Sequence, residues 1–99
     1  MNRDILKEIV ELEPIVVQFT NFYGDLSSYS DRIWEAYSRN SVKDVITAVD
    51  IFTMMIPARA WRNKTNNGLQ KLLDFTVFGS ELEKDLATGK RKLTRLEDL

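Results

Sequence analysis

Two carboxylate pairs have the spacing of a reactive group. Asp31 and Glu35, like Glu81 and Asp85, stand four residues apart, which puts each pair on one face of a helix. A di-carboxylate magnesium site or an acid–base pair needs carboxylates that converge from different elements into a cleft. The sequence shows no such convergence, so both pairs read as solvated surface. The 99 residues include no histidine and no cysteine. That removes the usual general base near neutral pH, thiolate nucleophiles, Cys-ligated zinc and any Ser–His–Asp or Cys–His device within this chain. Thr88-Gly89-Lys90 lacks the earlier glycine of a phosphate-binding loop. No catalytic, cofactor-binding or metal-ligating residue is therefore assigned, and the chain is expected not to be an enzyme.

Binding chemistry is better represented. The first fifty residues hold 5 Lys+Arg against 9 Asp+Glu, and the remainder hold 9 against 6. Two basic clusters carry that asymmetry. Arg59, Arg62, Lys64 and Lys71 lie beside Trp61 and several amides, with no acid between them, and Lys90, Arg91, Lys92 and Arg95 lie near the end. Basic residues interleaved with an aromatic and Asn side chains suit nucleic-acid phosphates. The overall charge of −1 and a pI near 5.4 oppose that reading, since a dedicated nucleic-acid binder is expected to be basic. A helix-turn-helix over Asp31–Ile56 fails on chemistry: its second helix would open with one Lys beside an Asp. The acidic stripe Asp4, Glu8 and Glu11 suits a basic partner but is also what any amphipathic surface helix shows.

Aromatic and methionine content supplies the remaining candidate. Ten aromatics in 99 residues, with Met54 and Met55, are a large number for one small core. A surplus of exposed aromatic and Met surface marks interaction sites. The expected protein-binding face is Met54, Met55 and Trp61 with Arg59 and Arg62 as its rim.

These residues need elements to position them, and the periodicity is helical. Ile5, Leu6, Ile9 and Val10 form a 3.6-spaced stripe opposite Asp4, Glu8 and Glu11. Pro14 is expected to end that helix or to open another. Ile15–Tyr23 has the β-branched and aromatic density of a strand. Its spacing Ile15, Phe19, Phe22, Leu26 is helical, however, and a lone strand would have no partner. After a turn zone at 24–30, Asp31–Arg39 reads as a helix with Ile33, Trp34 and Tyr37 inward. Ser41-x-x-Asp44 resembles a capping box before the inward set Val42, Val45, Ile46, Val49, Phe52 and Ile56. Beyond Asp50 the polar stripe vanishes, and Pro57 forces a break at Ile56. Leu69–Phe78 returns to helix with Leu69, Leu72, Leu73 and Thr76 or Val77 inward. Gly79-Ser80 is expected to punctuate, with Ser80-x-x-Glu83 capping a further helix.

The expected fold is all-α, a single compact bundle of five or six short helices over 1–88. Residues 89–99 follow as a basic C-terminal tail, frayed or formed on a partner, whose Leu93, Leu96 and Leu99 permit docking as a turn or two of helix. The expected role is a small non-enzymatic protein–protein interaction module: a regulator, adaptor, inhibitor or immunity-type protein. Its partner is another protein chain, either a different protein or a second copy. Nucleic acid bound by the 59–71 and 90–95 clusters is the alternative. No secretory signal is visible. The longest charge-free run, Pro14–Gly24, is 11 residues against the roughly 20 that span a bilayer, so no transmembrane helix fits. The lack of cysteine is compatible with cytosol and with secretion; the expected location is the cytoplasm, with no membrane partner.

Overall fold

The computed structural model describes residues 5–61 and 67–90, with side chains over 7–60 and 68–90. Five α-helices occur among them: α1 (Ile5–Phe22), α2 (Ser27–Ser38), α3 (Val42–Met54), α4 (Ala58–Trp61) and α5 (Asn67–Ala87). A 3₁₀ turn at Gly24–Leu26 joins α1 to α2, and no strand occurs among the described residues. The radius of gyration is 13.5 Å, close to the roughly 13 Å of a compact chain this long. The chain is a small all-α bundle.

α3 is the centre of the bundle. Val42, Val45, Ile46, Val49 and Phe52 are fully buried, with α2 packed along one side and α5 along another. Ser41 caps its start with extended backbone angles, and the Ser41 hydroxyl accepts from the Asp44 amide at 3.4 Å. Arg39 pairs with Glu35 at 3.5 Å and with Asp44 at 3.4 Å, tying the end of α2 to the start of α3. All three side chains are exposed, so these pairs fix register more than they stabilise. The α2–α3 turn has Asn40 at φ 56°. The Asn40 amide donates to Tyr37 and the Ser41 amide to Ala36. This is a Schellman stop with Asn at the left-handed position. The same geometry recurs after α5, where Gly89 has φ 80°, its amide donates to Leu86, and the Lys90 amide donates to Asp85.

Two expected helix breaks are absent. Pro14 lies inside α1, which is a single helix of 18 residues. The ring falls on an exposed position, and the Val10 side chain one turn earlier is also exposed, so the carbonyl that loses its amide partner faces the solvent side. Burial of Leu12 and Val16 on the opposite face holds the helix together across the proline. The buried stripe of α1 is Ile9, Leu12, Val16 and Phe19. This corrects the expected alignment: Val10 and Phe22 are exposed, and Ile15 is half-buried.

The second absent break is Gly79-Ser80. α5 runs through it for 21 residues, and Ser80 caps nothing. Gly79 is buried and serves packing instead. A Cβ built there would lie 2.7 Å from Cγ2 of Ile46, so the lack of a side chain sets how closely α5 approaches α3. Pro57 behaves as expected: α3 stops at Met54, and α4 begins after the proline. α2 begins at Ser27, earlier than the periodicity from Asp31 implies. Trp34 and Tyr37 are half-buried and meet edge-on at 6.5 Å, while Ile33 and Ala36 carry the buried face.

Gly79→Ala is expected to lose stability even though alanine is the better helix former. Displacing the Ile46 methyl in a packed core costs about 1–3 kcal/mol, against about 1 kcal/mol regained in propensity. Urea unfolding with Ser80→Ala as an exposed control measures the net loss. Pro14→Ala should act in the opposite sense and stabilise by about 1 kcal/mol or more, raising Tm by roughly 4 °C or more. An unchanged melting curve would mean that the proline costs α1 nothing.

Candidate functional site

Successive residues on a helix diverge by about 100°, so Met54 and Met55 at the end of α3 face different grooves. Met54, 74% exposed, lines a groove of about 440 Å³ between α3 and α5. Its other walls are Asp50 and Thr53 from α3, with Leu73, Thr76, Val77 and Ser80 from α5. Leu73 and Val77 are both exposed, which corrects their expected inward placement. α5 carries two rows: Leu69, Leu72, Phe75, Phe78 and Leu82 face the core, and Leu73 and Val77 lie one residue off that row.

Asp50 supplies the charge in this groove. Burial, with a smaller contribution from the negative charge of Glu83, holds its carboxyl above the usual aspartate range. Oδ1 is buried and has no hydrogen-bond partner among the described residues.

Met55 faces a second groove, of about 370 Å³, at the corner where α1 passes into α2. Phe22, Tyr23 and Tyr29 line one side, and Met55, Pro57 and Arg59 the other. Phe22 is 76% exposed, more than any other large apolar side chain among the described residues. The Arg59 guanidinium lies over the Tyr23 ring at 5.0 Å, and Arg32 lies 5.9 Å from the centre of the Tyr29 ring. Each is a cation–π arrangement, and Arg59 is thereby held at the mouth of the groove. The Phe22 and Tyr23 rings stand 6.4 Å apart.

The expected face is therefore divided. Met55 and Arg59 share the corner groove, whereas Met54 belongs to the α3–α5 groove. Trp61 closes α4, and its side chain, with Arg62 and Lys64, lies outside the described residues. Among the basic candidates, Lys71 is exposed on α5 in a depression with Glu8, Glu11 and Asp74. Lys90 is exposed just after the Gly89 stop, and Arg91, Lys92 and Arg95 lie outside the described residues. The carboxylate pairs stay on separate helices, Asp31 and Glu35 on α2, Glu81 and Asp85 on α5, and Glu35 is paired with Arg39. Among the described residues no group of three or more His, Cys, Asp or Glu side chains is placed to hold a metal ion, and no helix is long and apolar enough to cross a membrane.

Sequence reasoning missed Phe22, Leu73 and Val77. The signal for Phe22 was present: the row Ile9, Leu12, Val16, Phe19 continues to Tyr23, which leaves Phe22 outside it. Comparison with protein-family models, with curated proteins and with solved structures finds no match for the chain. What fold and surface define together is an all-α bundle with two apolar grooves at the end of its central helix.

Proposed function

We propose that the chain is a small, non-enzymatic cytoplasmic interaction module, a regulator, adaptor, inhibitor or immunity-type protein, that acts by occupying the surface of a partner protein. Its contact face is the corner groove of Phe22, Tyr23, Tyr29, Met55 and Arg59. The observation that carries this reading is Phe22 itself, a large aromatic left exposed next to a methionine and an arginine. Burying such a ring contributes about 2–3 kcal/mol, and aromatic, Met and Arg side chains are enriched at interface cores. Arg59 already rests on Tyr23, so less rotamer freedom is lost when it docks. The acids around Lys71 weaken its pull on a phosphate backbone, which favours a protein partner over nucleic acid.

Phe22→Ala and Phe19→Ala separate this face from the core. Phe22→Ala should leave urea stability within about 0.5 kcal/mol of the parent chain. Against a purified partner, or in sedimentation if the partner is a second copy, it should weaken association by about 2 kcal/mol, roughly 30-fold. Phe19→Ala should cost about 3–5 kcal/mol of folding stability. Equal binding by the parent chain and Phe22→Ala would refute the assignment. Salt-sensitive retention of oligonucleotides by both would move the function to nucleic acid.

A further inference from the structure

The groove between α3 and α5 is separate from the corner face, and both of its walls are helical. The two helices approach closely where Gly79 meets Ile46. From that crossing the groove runs forward along α3 through Asp50 and Thr53 to Met54, and backward along α5 from Ser80 through Val77 and Thr76 to Leu73. Asp50 and Ser80 therefore mark the crossing end, and Met54 and Leu73 the far end. The α5 wall is about 10 Å long at 1.5 Å per residue.

The two ends differ in chemistry. The far end is apolar and open, since Met54, Leu73 and Val77 are all exposed. The crossing end is anionic. Asp50 is the one charged residue among the described lining residues, and no lysine or arginine lines the groove with it. Its Oδ1 is buried without a hydrogen-bond partner among the described residues. The nearby threonine hydroxyls are committed elsewhere: Thr53 donates to the Val49 carbonyl at 2.8 Å, and Thr76 to the Leu73 carbonyl at 2.8 Å. A carboxylate oxygen removed from water without a donor is unfavourable, and a cationic donor relieves it.

The complement of this surface is a helix. Two helical walls leave a trough that receives the ridge of a third. The anchors of a docked amphipathic helix, at i, i+3 or i+4 and i+7, also cover about 10 Å. A small molecule suits the groove less, because its apolar walls stand out into solvent, whereas small-molecule sites enclose most of the ligand. A single buried oxygen calls for a point donor, which is lysine rather than the two-pronged guanidinium of arginine.

We infer that the α3–α5 groove receives an amphipathic helix of a partner protein, its apolar anchors against Met54, Leu73 and Val77 and a lysine one turn further along whose ammonium meets the Asp50 carboxylate. The lysine stem covers apolar surface on its way to the acid. The site does not rest on the corner groove, so either surface can fail without the other.

A blocked amphipathic helical peptide is the probe, with leucines at i, i+3 and i+4 and lysine at i+7. Titrated into the full-length chain, it should shift the methyl resonances of Met54, Leu73 and Val77 and leave that of Met55 in place. It should bind at least about tenfold more tightly than the same peptide with norleucine in place of lysine. Asp50→Asn should remove that preference, and Val77→Lys, an exposed substitution, should abolish binding, with circular dichroism confirming that both variants fold. Phe22→Ala should bind the peptide as the parent chain does. Equal affinity for the lysine and norleucine peptides, unchanged binding by Val77→Lys, or shifts centred on Met55 would overturn the inference. Hexylammonium alone binding as tightly as the peptide would assign the groove to a small organic cation and overturn the helix.

Discussion

Val45, Ile46, Val49 and Phe52 are fully buried over two turns of α3, and the close approach of α5 covers part of that face. Gly79 provides that closeness, since its missing Cβ leaves the space that the Ile46 methyl fills. The dependence extends outward. α3 must be walled on several sides, so α2 is folded back against it through the Asn40 stop and α1 is carried around by the 3₁₀ turn. The two grooves are what remains where the walls end. Met54 and Met55, both exposed at the end of α3, are the residues left at their rims.

Secondary structure and the inner face of α3 were legible because α3 obeys one rule at a time. Its cap, its 3.6-residue row and its terminal proline agree, and all six residues of the row, Val42 to Ile56, are buried. The helix over 15–22 was legible through its periodicity against its β-branched composition. Legibility failed where a local breaker was overruled by tertiary packing. Pro14 and Gly79 are both poor helix residues, yet each lies in one continuous helix, because neither a solvent-side carbonyl nor a neighbouring helix is visible in a linear pattern. The position of Phe22 relative to the α1 row depends on a register shift of one residue, which is 100° of helix and the difference between core and surface.

The candidate surface shows the same division. A preference for Met, aromatic and Arg side chains near the end of α3 was readable from composition, and Met55, Arg59 and Tyr23 are together there. That two neighbouring methionines serve different grooves was not readable, because it follows from where α5 and α1 arrive from far along the chain. The groove on the α5 side depends on Leu73 and Val77, which lie one residue off the core-facing row of α5.

The contact between Gly79 and Ile46 also implies how this fold can drift in sequence. The space between α3 and α5 at this crossing is shared by two positions 33 apart in the chain, so neither can change freely alone. A larger residue at 79 requires a smaller one at 46, whereas the outer faces of both helices carry no such joint restriction. Chains descended from a common ancestor with this one would therefore retain the volume of that pair after most other identities had been lost, and a paired-volume signature of this kind would reveal kinship where residue-by-residue resemblance has faded.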